Sequence, residues 1–204
     1  MSKQVVLITG ALTGIGRATA MAFAAAGADV VVAGRREEDG KMLEKQLREL
    51  GAEAEFVKVD VRHEPELQSL VDDTVKRFGR LDVAVNNAGT DGAKGPVTSQ
   101  TPETYASTFE TNVLGVLPSM GCCPRARAAS FNISSVPGHA GVAGHALYAA
   151  GKQRTGLPSS CLRRFRWGAL SQTVSVISFA VRCHSVMVAV RNYSGLPNRD
   201  CKEW

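Results

Sequence analysis

A short apolar run, followed at once by three closely spaced glycines, opens this chain. Residues Val5–Ile8 form a continuous apolar run of strand length, and a helical pattern covers Ala18–Ala26. The segment between them reads Thr-Gly-Ala-Leu-Thr-Gly-Ile-Gly, with glycine at Gly10, Gly14 and Gly16. Glycines let a backbone approach a pyrophosphate closely, and the N–H groups at a helix start receive its charge. The pattern predicts a dinucleotide-binding unit, although such a turn can also be purely structural.

Strand and helix patterns continue to alternate along the chain. Apolar runs predict strands, and the stretches between them have helical patterns. The predicted strands are Val5–Ile8, Val30–Ala33, Ala54–Val59, Val83–Asn86 and Ser130–Ile133, and the predicted helices are Arg17–Ala26, Glu37–Leu50, Glu64–Phe78 and Pro102–Leu117. Repeated βαβ units build a parallel sheet covered on both faces. We therefore expect an α/β fold with a Rossmann-type doubly wound parallel sheet, whose ligands bind at the carboxyl ends of the strands.

Two ionisable side chains stand four residues apart near residue 150. Tyr148 and Lys152 at i and i+4 project from one face of a helix, so the ammonium can sit beside the phenol and favour its ionised form. Ser134 and Ser135 lie upstream, and a serine hydroxyl facing the same point could hydrogen-bond a substrate oxygen. Together these groups describe proton transfer at a carbonyl or an alcohol. Tyr-x-x-x-Lys alone is a weak pattern, since such pairs occur on many solvated helices.

Further motifs follow one another in a recognisable order. They are Thr9–Gly16 as T-G-x-x-x-G-I-G, Asp60-Val61, Asn86–Gly89 as N-N-A-G, Asn112, Ser135, and Tyr148 with Lys152 as Y-x-x-x-K. On these motifs the sequence resembles the short-chain dehydrogenase/reductase family, in particular its 3-oxoacyl-reductase and glucose-dehydrogenase-like members. The resemblance covers residues 3–116 and 130–152. Several motifs in register are far more specific than any one of them.

The resemblance implies which residues form the site. The implied catalytic residues are Asn112, Ser135, Tyr148 and Lys152. The implied cofactor-binding residues are Gly10, Thr13, Gly14, Ile15, Gly16, Asp60, Val61, Asn87, Ala88, Gly89, Tyr148 and Lys152. In the implied mechanism Tyr148 protonates a carbonyl oxygen that Ser135 holds. Lys152 favours the phenolate and bonds the nicotinamide ribose, and Asn112 anchors a water-linked proton path.

Each of these residues also has a structural interpretation. Asn112 could bond a helix backbone, the two serines could end a strand, and Asp60 could begin the next turn. Ser134 is a less favoured alternative to Ser135 for the substrate contact. The sequence leaves these alternatives open.

The end of the second predicted strand bears on the choice of nicotinamide cofactor. A carboxylate there would bond the ribose hydroxyls of NAD, but Gly34 stands in its place and Arg35 and Arg36 follow. Arginine complements a 2′-phosphate and would have no partner on NAD. We therefore expect NADP, leave NAD open, and count both arginines as cofactor-binding. The alternative is that they pair with the acids at 37–39 in an exposed loop.

Composition narrows the class of protein. The chain has 204 residues, 44% of them hydrophobic, which is enough to bury one sizeable core. It contains no run of about 18 apolar residues and no signal peptide, so we expect a cytoplasmic protein that does not enter a membrane. No Cys/His set has the spacing of a zinc site, and no metal is expected.

Charge is distributed unevenly along the chain. Residues 1–110 carry 13 Lys/Arg and 17 Asp/Glu, whereas residues 111–204 carry 11 and 2. A basic half could attract nucleic acid, but this one lacks the helix face or aromatic platform that would organise its arginines. We expect nonspecific attraction only, and no specific nucleic-acid partner.

Two stretches, 118–129 and 153–204, do not share the resemblance. They hold all five cysteines and both tryptophans, and Pro118 and Pro124 would break a helix that should be long. One hypothesis is that both stretches are translated from a shifted reading frame. A splice variant or a divergent C-terminus is the alternative. Either origin would leave the C-terminal strands and helices of the fold incomplete or replaced.

The chain is accordingly divided into two parts. Residues 1–152 are interpreted as a dinucleotide-binding and catalytic domain, atypical at 118–129, and residues 153–204 as a basic tail of uncertain structure. Within the tail, only Val174–Val181 and Val186–Val190 are apolar enough for strands.

Two functions remain open from the sequence. The first is an NADP-preferring oxidoreductase that interconverts a small carbonyl and an alcohol, with Tyr148 as the general acid/base. The second is a truncated or frame-shifted non-catalytic remnant that at most binds a nucleotide. The family resemblance implies a homo-oligomer, which the altered stretches put in doubt.

Overall fold

Six parallel strands form one sheet in this chain. A computed structural model describes residues 3–118, 128–155 and 171–174, with the side chains of 154–155 and 171–174 left out. The strands are β1 (Val5–Thr9), β2 (Asp29–Gly34), β3 (Ala54–Lys58), β4 (Val83–Asn86), β5 (Ala129–Ile133) and β6 (Ser171–Val174). The helices are α1 (Gly14–Ala25), α2 (Glu37–Glu49), α3 (Glu64–Phe78), α4 (Pro102–Phe109) and α5 (Ala146–Thr155). The expected α/β class is confirmed.

The sheet has the order β3-β2-β1-β4-β5-β6. β1 pairs in parallel with both β2 and β4, so the strand order reverses between β1 and β4. In an open α/β sheet the crevice at such a reversal, beyond the carboxyl ends of the strands, is where ligands bind. This topology is the predicted Rossmann-type doubly wound sheet.

Alternating strand residues pack against different helices. Val6, Ile8 and Val30 belong to one buried cluster with Ala20 of α1 and Leu43 of α2. Their neighbours Val5, Leu7 and Val31 belong to a second cluster with Leu67 and Leu70 of α3. Successive side chains of a strand point to opposite faces. Helices therefore cover both faces of the sheet at β1 and β2, and the apolar runs Val5–Ile8 and Val30–Ala33 are buried on both sides.

The segment after β4 differs from its prediction. A single helix was expected over Pro102–Leu117, but α4 ends at Phe109 and a π-helical turn spans Glu110–Leu114. The start of α4 is well specified, because Thr101 forms a capping box with Thr104. The sequence analysis expected Pro118 and Pro124 to break this helix. Of the two prolines, only Pro118 lies within the described residues.

The tail supplies a strand that the sequence analysis did not identify. β6 pairs in parallel with β5 from Ser130↔Ser171 to Ile133↔Val174. The strand predicted over Val174–Val181 overlaps β6 at one residue, and the rest of that strand, like Val186–Val190, lies outside the described residues. Across the described part of the chain, no helix is long and apolar enough to cross a membrane.

Candidate active site

The glycine turn after β1 is closely packed on one side and open on the other. Gly10 has φ +63°, and a Cβ atom there would lie 2.6 Å from the Ala88 Cα. At Gly16 a Cβ would lie 2.4 Å from the Gly10 carbonyl oxygen. Gly14 has φ +54° and nothing within 4 Å of its Cβ position. The turn thus requires glycine for its own packing and leaves exposed backbone at the start of α1, where Thr13 and Ile15 are also exposed.

The N-N-A-G segment after β4 holds this turn in place. The Asn87 side-chain amide donates to the Thr9 carbonyl at 3.2 Å and to the Gly10 carbonyl at 2.9 Å. The Ala88 N–H donates to the Thr9 hydroxyl oxygen at 3.3 Å. Asn86, buried between strands, donates to the Asn132 side chain at 2.7 Å. These hydrogen bonds connect the carboxyl ends of β1, β4 and β5 to one another below the cavity-forming loops.

Asn112 is fully buried and contacts Thr90, the residue that follows the N-N-A-G segment. Its Oδ1 accepts from the Thr90 N–H and its Nδ2 donates to the Thr90 carbonyl, both at 2.8 Å. The π-helical turn presents Asn112 to this loop, and single π-turns inside helices are frequent at functional sites. The direct geometric role of Asn112 is to fix the loop. The water-linked proton path assigned to it stays a prediction.

Tyr148 and Lys152 lie on α5, four residues apart as expected. The Lys152 Nζ lies 6.0 Å from the centre of the Tyr148 ring and donates to the Ile133 carbonyl at 2.9 Å. Lys152 is only 6% exposed. Its burial lowers the pKa of the ammonium, and the negative charge of Asp91 opposes that shift. Lys152 is therefore a buried cation whose pKa depends on both its burial and the charge of Asp91.

The two adjacent serines have different environments. The Ser134 hydroxyl is buried and donates to the Lys152 carbonyl at 2.8 Å, which ties β5 to α5. Ser135 is partly exposed, precedes the short 3-10 turn Val136–Gly138, and makes no side-chain bond that caps this turn. The geometry gives Ser134 a structural bond and leaves Ser135 facing the space in front of the sheet.

A cavity of about 230 Å³ brings most of these groups together at the point where the strand order reverses. Ser135, Tyr148 and Lys152 line it from one part of the chain. The other lining residues are Ile15, Asn87, Gly89, Thr90, Asp91, Ile133 and Ser134. Sequence reasoning missed Thr90 and Asp91. Their position directly after N-N-A-G was the available signal, since that motif ends a strand at the ligand-binding edge.

Asp60 and Val61 lie farther along the same edge, after β3. The Asp60 carboxylate forms a close ion pair with Arg62, with Nη2–Oδ2 at 2.6 Å. The Arg62 side-chain bond is the largest cause that lowers the Asp60 pKa to about 2. Val61 is 9% exposed and packs in the core, where a Cβ at Gly115 would lie 2.9 Å from its Cγ2. Asp60 is therefore ionised at neutral pH.

The two arginines after β2 are not equivalent. Arg36 pairs with Asp39, as the alternative interpretation anticipated. The Arg35 side chain makes no hydrogen bond or ion pair with the described residues. At Gly34 a Cβ would lie 2.7 Å from the Leu12 Cδ1, so Leu12 occupies the direction in which a side chain would leave that position. Within residues 3–118, 128–155 and 171–174, no group of three His, Cys, Asp or Glu could hold a metal.

The fold and this site together define a Rossmann-type α/β protein with a polar cavity at the sheet's reversal point. The family model of the short chain dehydrogenases matches residues 4–163. The chain therefore belongs to the short chain dehydrogenase family of oxidoreductases, which confirms the resemblance noted in the sequence.

Individual relatives agree with that membership. L-fucose dehydrogenase from Oryctolagus cuniculus is 38% identical over 153 residues, which is 73% of this chain and 52% of the relative. A variant of actinorhodin polyketide ketoreductase, solved with NADPH, is 35% identical, with a TM-score of 0.77 over 85% of this chain and 69% of that one. A short chain dehydrogenase/reductase from Burkholderia phymatum, solved with NAD, is 28% identical, with a TM-score of 0.76 over 86% of this chain and 64% of that one.

This chain matches only part of the length of its relatives. This chain spans about half the length of the rabbit relative, at 52%. The family match nevertheless runs through the atypical segment 118–129 and continues past Lys152 to residue 163.

Proposed function

We propose that this chain is an NADP-preferring oxidoreductase that interconverts a carbonyl and an alcohol on a small molecule. The observation that carries the proposal is the cavity in which Ser135, Tyr148 and Lys152 meet the loop after β4. Its walls supply a hydroxyl donor, a phenolic acid and a buried cation at one point, which is the set of groups that proton transfer to a carbonyl oxygen needs.

In the reductive direction each side chain has one task. Tyr148 donates its phenolic proton to the carbonyl oxygen, so that an alcohol forms. Ser135 donates a hydrogen bond to the same oxygen and orients it. The ammonium of Lys152 stabilises the phenolate that remains, and solvent returns the proton to Tyr148. In the oxidative direction the phenolate accepts the proton instead.

The glycine turn fits the nicotinamide cofactor that the solved neighbours hold. Gly14 has open space at its Cβ position, and the exposed residues Gly14 and Ile15 begin α1, where backbone N–H groups can receive a pyrophosphate. Asn87 and Gly89, which line the cavity, and Ala88 between them would border the nicotinamide end. When bound, the cofactor supplies the hydride chemistry, while the protein supplies position and electrostatics.

At the other end of the cofactor, the preference for NADP rests on charge. Arg35 makes no bond to the described residues, so its guanidinium is available to a 2′-phosphate. The crowding between Gly34 and Leu12 argues against the carboxylate that would select NAD. Asp60 would lie beside the adenine, with Arg62 holding its carboxylate.

Substitution of the proposed acid tests the function. NADPH is titrated into the purified full-length chain by fluorescence, and reduction of a panel of small ketones and aldehydes is then followed by loss of NADPH absorbance. Tyr148→Phe is expected to keep NADPH binding and to lose about a hundredfold or more in kcat, the usual contribution of a general acid. Tyr105→Phe on α4 is the matched control, because Tyr105 lies outside the cavity and is 51% exposed.

Two results would contradict the proposal. Turnover that survives Tyr148→Phe would remove Tyr148 from its role. NADPH binding by the unsubstituted chain without turnover of any carbonyl would favour the non-catalytic nucleotide-binding alternative. Sequencing of the coding DNA would separately decide whether 118–129 and 153–204 come from a shifted frame.

A further inference from the structure

Asp91 places a carboxylate in the wall of the catalytic cavity. It lines the cavity together with Ser135, Tyr148 and Lys152. Its only ion-pair partner among the described residues is Lys94, with Nζ–Oδ2 at 3.5 Å. Both side chains of that pair are more than 60% exposed, and exposed pairs contribute about 0–1 kcal/mol. The carboxylate can therefore leave Lys94 for a ligand at little cost.

The backbone on both sides of Asp91 is fixed. Thr90 is held by the two hydrogen bonds from Asn112, and its hydroxyl oxygen accepts from the Gly92 N–H at 3.2 Å. Gly92 has φ +67°, and a Cβ there would lie 2.4 Å from the Thr108 Oγ1. This turn packs against α4 so closely that only glycine fits. Asp91 thus stands on a rigid turn, and such pre-organisation favours specific contacts.

The cavity has a distinctive balance of charge. It contains one carboxylate, from Asp91, and one ammonium, from Lys152. The negative charge of Asp91 acts on Lys152, where it opposes the effect of burial. Much of the remaining lining is polar and uncharged, with hydroxyl groups from Thr90, Ser135 and Tyr148. Such a lining offers no site for an anionic group near Asp91 and suits a ligand that carries several hydroxyl groups.

We propose that Asp91 is a specificity-determining residue that selects neutral, polyhydroxylated substrates of the sugar or sugar-alcohol class. Its carboxylate accepts a hydrogen bond from a substrate hydroxyl other than the reacting one, and it repels substrates that carry a carboxylate or phosphate. This inference rests on the proposed function and names the substrate class of the same cavity.

A matched pair of sugars tests the inference. The full-length chain is assayed in the oxidative direction with NADP⁺, using a panel of aldoses and the uronates with the same ring stereochemistry. The unsubstituted chain is expected to prefer the aldoses. Asp91→Asn keeps the size of the side chain and removes its charge. It is expected to raise the KM for the aldose about three- to tenfold, because a neutral hydrogen bond replaces one to a charged acceptor. A smaller change in kcat and a loss of the aldose-over-uronate preference are expected to accompany it.

Asp72→Asn is the control, because Asp72 lies on α3 and outside the cavity. Asp91→Ser serves as a second variant, and circular dichroism verifies that each variant folds. An aldose-over-uronate ratio that is the same in the unsubstituted chain, Asp91→Asn and Asp91→Ser would overturn the inference.

Binding separates this inference from the proposed function. Saturation-transfer NMR with the same aldose and uronate reports contact with the cavity whether or not turnover occurs. If no sugar is oxidised but the aldose binds better than the uronate in an Asp91-dependent way, the role of Asp91 in ligand selection stands. If sugar binding does not depend on Asp91 either, the inference fails, whereas the proposed function is decided separately by reduction of the ketone and aldehyde panel.

Discussion

The Asn112 side chain forms two 2.8 Å hydrogen bonds with the backbone of a single residue, Thr90. The Asn112 Oδ1 accepts from the Thr90 N–H and the Nδ2 donates to the Thr90 carbonyl, so one side chain satisfies both backbone groups of Thr90. Asn112 is fully buried, and Thr90 precedes the turn that carries Asp91. A residue implied to be catalytic is thus also the anchor of the loop that forms one wall of the cavity.

Removal of this anchor should cost stability. Asn112→Ala leaves the Thr90 N–H and carbonyl without their partners, and each such loss costs about 1–3 kcal/mol when water cannot replace it. We expect the free energy of unfolding, measured by urea titration, to fall by about 2 kcal/mol or more. Thr111→Ala is the control from the same π-turn, since the Thr111 hydroxyl bonds only the Ser107 carbonyl at the surface. Equal losses in the two variants would refute the anchoring role.

The adjacent serines allow a second prediction, which separates stability from catalysis. Ser134→Ala should lower the free energy of unfolding by about 1 kcal/mol, because it removes a buried hydroxyl that donates to the Lys152 carbonyl. Ser135→Ala should leave stability unchanged and lower kcat about a hundredfold, as loss of a donor to the reacting oxygen does. Thermal unfolding and carbonyl reduction are measured on both variants. A larger loss of kcat in Ser134→Ala than in Ser135→Ala would reverse the assignment.

Some elements could be predicted from the sequence at residue accuracy, because local signals specify both ends. The helix over Glu64–Phe78 is confirmed at both bounds: Pro65 lies in its first turn and Gly79 ends it with φ +74°. The strand Val83–Asn86 is likewise confirmed at both ends. Its residues are apolar up to Asn86, at which the N-N-A-G segment begins and the strand ends.

Other features depended on contacts that no local pattern contains. The π-turn at Glu110–Leu114 replaces the predicted end of a helix, and its residue Asn112 bonds Thr90 across the fold. β6, Ser-Gln-Thr-Val, has only one apolar aliphatic residue and is defined by its pairing with β5. Asp91 follows the N-N-A-G segment closely in sequence, but only the fold brings its carboxylate into one cavity with Lys152. The π-turn, β6 and the position of Asp91 all depend on tertiary contacts rather than on the local residue pattern.

Cofactor preference gives a third prediction, in which the two arginines should differ. Arg35→Gln is expected to weaken NADPH binding about tenfold and to leave NADH binding unchanged, since only NADPH carries the 2′-phosphate. Arg36→Gln is the matched control, and its effect should be smaller because Arg36 already pairs with Asp39. Dissociation constants for both nucleotides are measured by fluorescence titration. Equal weakening of NADPH and NADH by Arg35→Gln would argue against a phosphate contact.

The crowded position before Arg35 adds a related test. Gly34→Asp alone should weaken both nucleotides, because its Cβ would lie 2.7 Å from the Leu12 Cδ1 and push that side chain aside. Gly34→Asp combined with Leu12→Ala has room for the carboxylate and should shift preference towards NADH. Leu12→Ala alone controls for the lost leucine. If the double variant prefers NADPH as strongly as the unsubstituted chain does, Gly34 does not take part in selection.

The last prediction concerns the pH dependence of the Asp60–Arg62 pair. The Arg62 side-chain bond lowers the pKa of Asp60 from 3.8 to about 2. A carboxyl group whose folded-state pKa is depressed contributes stability above its unfolded pKa and loses it as pH falls through the folded value. This contribution should therefore be complete above about pH 5 and be lost progressively as the pH falls from about 5 to about 1. Arg62→Gln should raise the Asp60 pKa towards 3.8 in a carbon-13 NMR titration and make the free energy of unfolding depend less on pH over that interval.

Arg80→Gln, which breaks the similar pair with Asp82, should leave the Asp60 titration unchanged. An Asp60 pKa that stays near 2 in Arg62→Gln would mean that backbone bonds and Arg35, rather than Arg62, hold the carboxylate in its charged form.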